Sequence, residues 1–90
     1  MTSAAQEASE ALGGRLREIR KDAGLSGRAL AALAGWHFTK VSKIELTKQN
    51  PSDADIRVWC SHCQAEDQVA DLIATLRNIE SQYIELKFRG

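Results

Sequence analysis

Apolar residues recur along this chain at intervals of three and four, and nowhere do they alternate with polar ones over the length of a strand. That periodicity admits helices and no sheet. Leu12, Leu16, Ile19 and Ala23 mark a first helix that stops at Gly24, because glycine tolerates the left-handed backbone of a helix end. Ser26 offers its hydroxyl oxygen to the unsatisfied NH groups of a second helix, about 27–34, whose inward residues are expected to be Leu30 and Leu33. Gly35 closes it. A short third helix over about 37–45 buries Val41 and Ile44, and its other face carries Phe38, Thr39, Lys40 and Lys43.

A polar loop, 46–51, separates this group from a fourth helix announced by Ser52, with Asp53 and Asp55 placed where the helix dipole favours acids. Ile56, Trp59, Cys60 and Cys63 follow at i, i+3, i+4 and i+7, which turns both cysteines toward the core. The last helix is expected from about 66 to 88, with Val69, Leu72, Leu76, Ile79, Tyr83 and Leu86 in heptad spacing. At 1.5 Å per residue it is roughly 33 Å long, more than a four-helix core covers. Ile79, Tyr83 and Leu86 are therefore expected to meet either a second copy or a further domain. The further domain is the preferred partner, because fewer than three heptads make a marginal coiled coil. The expected organisation is a flexible segment 1–11, a core domain 12–78 and a helical extension 79–90.

The second and third helices carry the functional signal. Two short helices form a stiff bracket when the first has a small residue at the crossing, the turn accepts an unusual backbone angle and the second buries two aliphatic residues. Ala31, Gly35, and Val41 with Ile44 meet these conditions, and Leu30 completes the contact. Such a bracket holds the third helix proud of the surface, where its side chains can enter the major groove of DNA.

Charge sharpens this picture. The net charge is zero, which by itself argues against a polyanionic partner. Its distribution argues for one: residues 12–48 carry eight basic side chains against three acidic ones, while residues from Pro51 onward carry four against seven. The 43% hydrophobic and 27% charged content suits one compact domain. The polar opening with Glu7 and Glu10 is unlike a secretory signal, and no apolar run reaches membrane-spanning length. A cytoplasmic, nucleoid-associated protein without a membrane partner is expected, with Cys60 and Cys63 reduced.

The residues Leu16-Arg17-Glu18-Ile19-Arg20, Ala23-Gly24-Leu25-Ser26, Leu30-Ala31, Leu33-Ala34-Gly35-Trp36 and Val41-Ser42-Lys43-Ile44-Glu45 resemble the lambda-repressor-like regulators, the xenobiotic-response-element family. Gly35-Trp36, Val58-Trp59 and Tyr83-Ile84-Glu85 look more narrowly like regulators of high-GC Gram-positive bacteria that carry a larger C-terminal domain. The resemblance implies an all-α, five-helix lambda-repressor-like domain with an extended C-terminal helix. It also implies a transcriptional regulator working as a homodimer on a two-part duplex site. It places His37, Phe38, Thr39, Lys40 and Lys43 toward bases and nearby phosphates, and Ser26, Gly27 and Arg28 at the phosphate backbone. Lys48, Gln49 and Asn50 are further phosphate candidates. Arg20 and Glu45 resemble a structural pair tying the first helix to the third. The chain departs from the family pattern at Gly27, where a glutamine is usual, and at Thr47, where a glycine is usual.

Other chemistry is weaker. Cys60, His62 and Cys63 have zinc half-site spacing but lack a second half, so burial is the preferred reading and no metal or cofactor is expected. Trp36 and Trp59 read as packing residues rather than stacking platforms. No nucleophile, base or phosphate loop forms a catalytic set, so an enzyme is not expected. The alternative to DNA reading is a protein-interaction adaptor, antitoxin-like or anti-sigma-like, on the same scaffold, prompted by the neutral charge, Phe38 and the apolar tail.

Overall fold

A computed structural model describes residues 4–88, with the side chains of 83 and 85–88 outside the description. Helices α1 (Ala4–Asp22), α2 (Gly27–Ala34), α3 (Phe38–Glu45), α4 (Asp53–His62) and α5 (Val69–Phe88) follow in order, with a 3-10 turn at Glu66–Gln68 leading into the last. The fold is all-α. Its core gathers Leu16, Leu30, Val41, Ile44, Ile56 and Trp59, each at most 1% exposed. Trp59 is the centre: its indole NH donates to the Leu16 carbonyl at 2.9 Å, which satisfies the one polar group that its burial would otherwise strand. Trp36 packs against it with ring centroids 6.2 Å apart.

Each of the first four helices closes with a residue in the left-handed region, and the NH after that residue bonds back five positions. Leu25 reaches Arg20, Trp36 reaches Ala31, Lys48 reaches Lys43 and Ala65 reaches Cys60. Glycine serves the first two ends, at Gly24 and Gly35, whereas Thr47 (φ 63°) and Gln64 (φ 57°) serve the others at a conformational cost. Ser26 and Ser52 cap α2 and α4 as their sequence positions imply, and Ser52 with Asp55 forms a reciprocal capping box.

Three expectations are corrected. Residues 4–11, expected as a flexible segment, belong to α1. Alanines favour helix strongly, and Ala5 and Ser9 are buried on the face that Leu12, Leu16 and Ile19 continue. Their small side chains carry little hydrophobic signal, so the face was invisible beyond Leu12. The second correction follows from the first: α1 makes its most extensive contact with α5, and Ile79 is fully buried within the domain. Ile79 is thus a core residue rather than a contact reserved for a partner, and Tyr83 and Leu86 lie outside the described side chains. Third, Leu33 is 55% exposed. Leu30 and Ala31 set the inward direction of α2, and at about 100° per residue Leu33 points about 110° away from it.

Candidate nucleic-acid interface

The bracket positions α3 from both ends. At its start, Gly35 (φ 73°) lets the chain reverse within three residues, and Trp36 NH returns to the Ala31 carbonyl at 2.8 Å. His37 then caps α3: its Nδ1 accepts the Thr39 backbone NH at 3.2 Å, and the Thr39 hydroxyl lies 2.9 Å from the same nitrogen. At its other end, Arg20 of α1 donates from Nε and Nη2 to the two carboxylate oxygens of Glu45 at 2.6 and 2.9 Å. A third donor, Nη1, reaches the Leu25 carbonyl at 2.8 Å. Hydrogen bonding to Glu45 raises the Arg20 pKa, so the guanidinium stays charged. Glu45 is the sole carboxylate in α3, and Arg20 occupies both its oxygens.

With Val41 and Ile44 buried, helix geometry fixes what the remaining α3 residues face. Opposite the core, at about 100° per residue, stand Thr39, Ser42, Lys43 and Leu46. Phe38 and Lys40 fall on the flanks. The Phe38 ring lies against α2 with the Arg28 guanidinium 4.6 Å from its centroid. A β-carbon added to Gly27 would come within 3.1 Å of that ring. On the other flank, Lys40 Nζ meets Asp55 Oδ1 at 2.8 Å and sits 4.4 Å from the Trp36 ring centroid. Asp55 is partly buried, which alone would raise its pKa. The hydrogen bonds from Lys40 and from Ser52 outweigh burial and hold it below the usual carboxylate range.

Around this face stand the other expected residues. Ser26 spends its hydroxyl on the Ala29 NH at 3.0 Å, and the first turn of α2 directs the NH groups of Gly27 and Arg28 past the helix end, where no internal acceptor exists. Lys48, Gln49 and Asn50 are exposed in the loop after α3. Lys48 and Gln49 hang their NH groups on the Lys43 carbonyl at 2.8 and 3.3 Å, which anchors the loop beside α3. Residues 11–73 match the helix-turn-helix domain family.

The chain belongs to that family. A helix-turn-helix domain is a DNA-binding domain, and α2, the turn at Gly35 and α3 lie within the matched residues. The match begins after the first turns of α1 and ends within α5. Comparisons with curated proteins and with solved structures return no match. No helix among the described residues is long and apolar enough to cross a membrane.

Three residues of this helix-turn-helix surface escaped the sequence reading. Ser42 and Leu46 point outward, and a helical wheel centred on Val41 and Ile44 would have found both. Arg17, 56% exposed on α1 and 3.9 Å from Glu45, lines the same cleft as Phe38, Ser42 and Leu46. Its signal is the three-residue step to Arg20. Cys60 and Cys63, by contrast, point into the core as their spacing implies. Burial pushes the Cys60 thiol up to about 11, with the neighbouring Cys63, Glu66 and Asp67 adding to it, and burial raises Cys63 as well. Such thiols stay protonated at neutral pH and are poor metal ligands and nucleophiles.

Proposed function

We propose that this domain is the reading head of a transcriptional regulator, one that binds duplex DNA sequence-specifically by laying the outward face of α3 in the major groove. The observation that carries the reading is electrostatic. Lys43 stands on that face, Arg28 flanks it at Phe38, Arg17 lines the cleft beside it and Lys48 the loop that follows it; Glu45 is taken up by Arg20, and Glu10 of α1 lies next to Lys48. A polyanion therefore meets positive charge with little opposing it.

Lys43 donates to guanine acceptors, Thr39 and Ser42 bond either kind of base, and Arg28, the α2 NH groups and Lys48, Gln49 and Asn50 hold phosphates. His37 acts through its cap, by aiming the first turn of α3. Lys40 acts through Asp55, by fixing the angle between α3 and α4. The intact regulator works as a symmetric homodimer on two half-sites, in the manner of the lambda-repressor-like proteins that the chain resembles. Selection of bound sites from random duplexes, followed by fluorescence anisotropy across a salt series, tests the reading. The expected result is an enriched motif and an affinity that falls with salt. Absence of binding at low salt, or binding unaltered by Arg28→Ala and Lys43→Ala together, overturns it.

A further inference from the structure

We infer that α3 recognises thymine methyl groups at two points of each half-site, with Phe38 sensing one and Leu46 the other; the inference rests on the DNA-reading proposed above. Phe38, Ser42 and Leu46 follow one another at intervals of four and line one open cleft of about 230 Å³ between α1 and the start of α2. Leu46 is 63% exposed and Phe38 38%. The inner side of the Phe38 ring is seated at Gly27 and Arg28 stands over it, so its position is fixed before any ligand arrives.

An exposed leucine and an exposed phenylalanine would ordinarily suggest an apolar protein partner. Here their surroundings exclude a continuous apolar contact. The hydroxyl of Ser42 lies between them along the helix, Arg17 and the Arg20–Glu45 pair line the same cleft, Arg28 stands over the Phe38 ring, and Lys43 is exposed one residue beyond Ser42. The occupant that fits is anionic overall and offers small apolar groups at separated points. Duplex DNA has that character: its backbone is charged, and the C5-methyl of thymine is the apolar group its bases present in the major groove. Eight residues of helix separate Phe38 from Leu46, about 12 Å at 1.5 Å per residue. At about 3.4 Å per base pair this spans three to four pairs, with Ser42 and Lys43 over the pairs between.

The experiment takes a site obtained by selection and replaces each thymine in turn with deoxyuridine, which removes the methyl and nothing else. Two positions per half-site, three or four base pairs apart, are expected to weaken binding about fourfold each, the effect of one buried methyl. Phe38→Ala should abolish the penalty at one position and Leu46→Ala at the other, with circular dichroism unchanged because neither side chain belongs to the buried core. Tight binding that is indifferent to deoxyuridine everywhere overturns the methyl assignment and leaves DNA reading standing. Failure to select any duplex overturns both.

Discussion

Phe38 rests in the space that a side chain at position 27 would fill: a β-carbon on Gly27 would lie 3.1 Å from Phe38 Cε2 and 3.6 Å from Val41 Cγ1. The missing side chain of α2 and the aromatic one of α3 are therefore one feature. Gly27→Gln, which introduces the residue usual in the resembling family, should push the ring off α2 and break its contact with Arg28. A double-mutant cycle with Gly27→Ala and Phe38→Ala checks this. The two changes should couple by about 0.5–1 kcal/mol, the range for residues in contact, with the Gly27→Ala cost vanishing once the ring is gone. Strict additivity would remove the interdependence.

Two neighbouring glycines in α1 should respond in opposite directions. Gly13 faces the end of α3, where a β-carbon would sit 2.8 Å from the Ile44 carbonyl oxygen and 3.0 Å from that of Glu45. Those are backbone atoms, so Gly13→Ala must move a helix and should cost about 1–3 kcal/mol despite alanine's better helix propensity. Gly14 faces open space. Gly14→Ala should therefore stabilise by about 0.5–1 kcal/mol. Thermal unfolding of both variants measures the contrast, and DNA affinity should fall only for Gly13→Ala, which displaces the projecting helix.

The Arg20–Glu45 pair should matter more than an ordinary ion pair. Both side chains are mostly buried, at 11% and 9% exposure, and removing one strands the other charge. Arg20→Met is expected to destabilise by about 3 kcal/mol in denaturant titrations. It also leaves the Glu45 carboxylate with Arg17, 3.9 Å away, as its remaining cation beside the proposed DNA-binding face. Glu45→Gln should lower stability while leaving that face more positive, so DNA affinity measured on the folded fraction should fall with the first variant and hold with the second.

The parts of this fold that were legible in sequence are those set by short-range chemistry. Ser26, Gly35 and Ser52 announce helix ends through groups within three residues of themselves, and Cys60 and Cys63 declare their inward direction by their interval from Ile56. The start of α1 was hidden because Ala5, Ala8 and Ser9 bury small side chains that score as neutral. Leu33 was misplaced because Ala31, the smaller residue, sets the packing direction of α2. For the candidate site, periodicity picked out α3 but not which of its residues stand clear. The wheel puts Phe38 and Lys40 on the flanks, but what each meets there, Gly27 with Arg28 for the one and Asp55 for the other, is not in it, and Asp55 is fifteen residues away along the chain. Such pairings are long-range facts that no local pattern carries.

Lys40 and Asp55 give the pH dependence its sign. Asp55 holds two structures at once, since Oδ1 takes the Lys40 ammonium at 2.8 Å while Oδ2 accepts the Ser52 NH at 2.9 Å in the cap of α4. Its pKa in the fold lies below the ordinary value of 3.8. The stability it contributes is therefore fully present above that ordinary value and is lost as the pH falls through the lower, folded value. Asp55→Asn should be less stable than the parent at pH 7, by about 1–2 kcal/mol for a charge-assisted bond and a weakened cap. The two stability curves should converge on acidification to below the folded pKa. Lys40→Met should reproduce much of that loss at pH 7, because it empties the same contact. If Lys40 instead met DNA directly, Lys40→Met would reduce the salt dependence of binding by about one ion while Asp55→Asn would not. Equal salt slopes for parent, Lys40→Met and Asp55→Asn are expected under the proposed reading, since the Lys40 ammonium is already held by Asp55 at 2.8 Å.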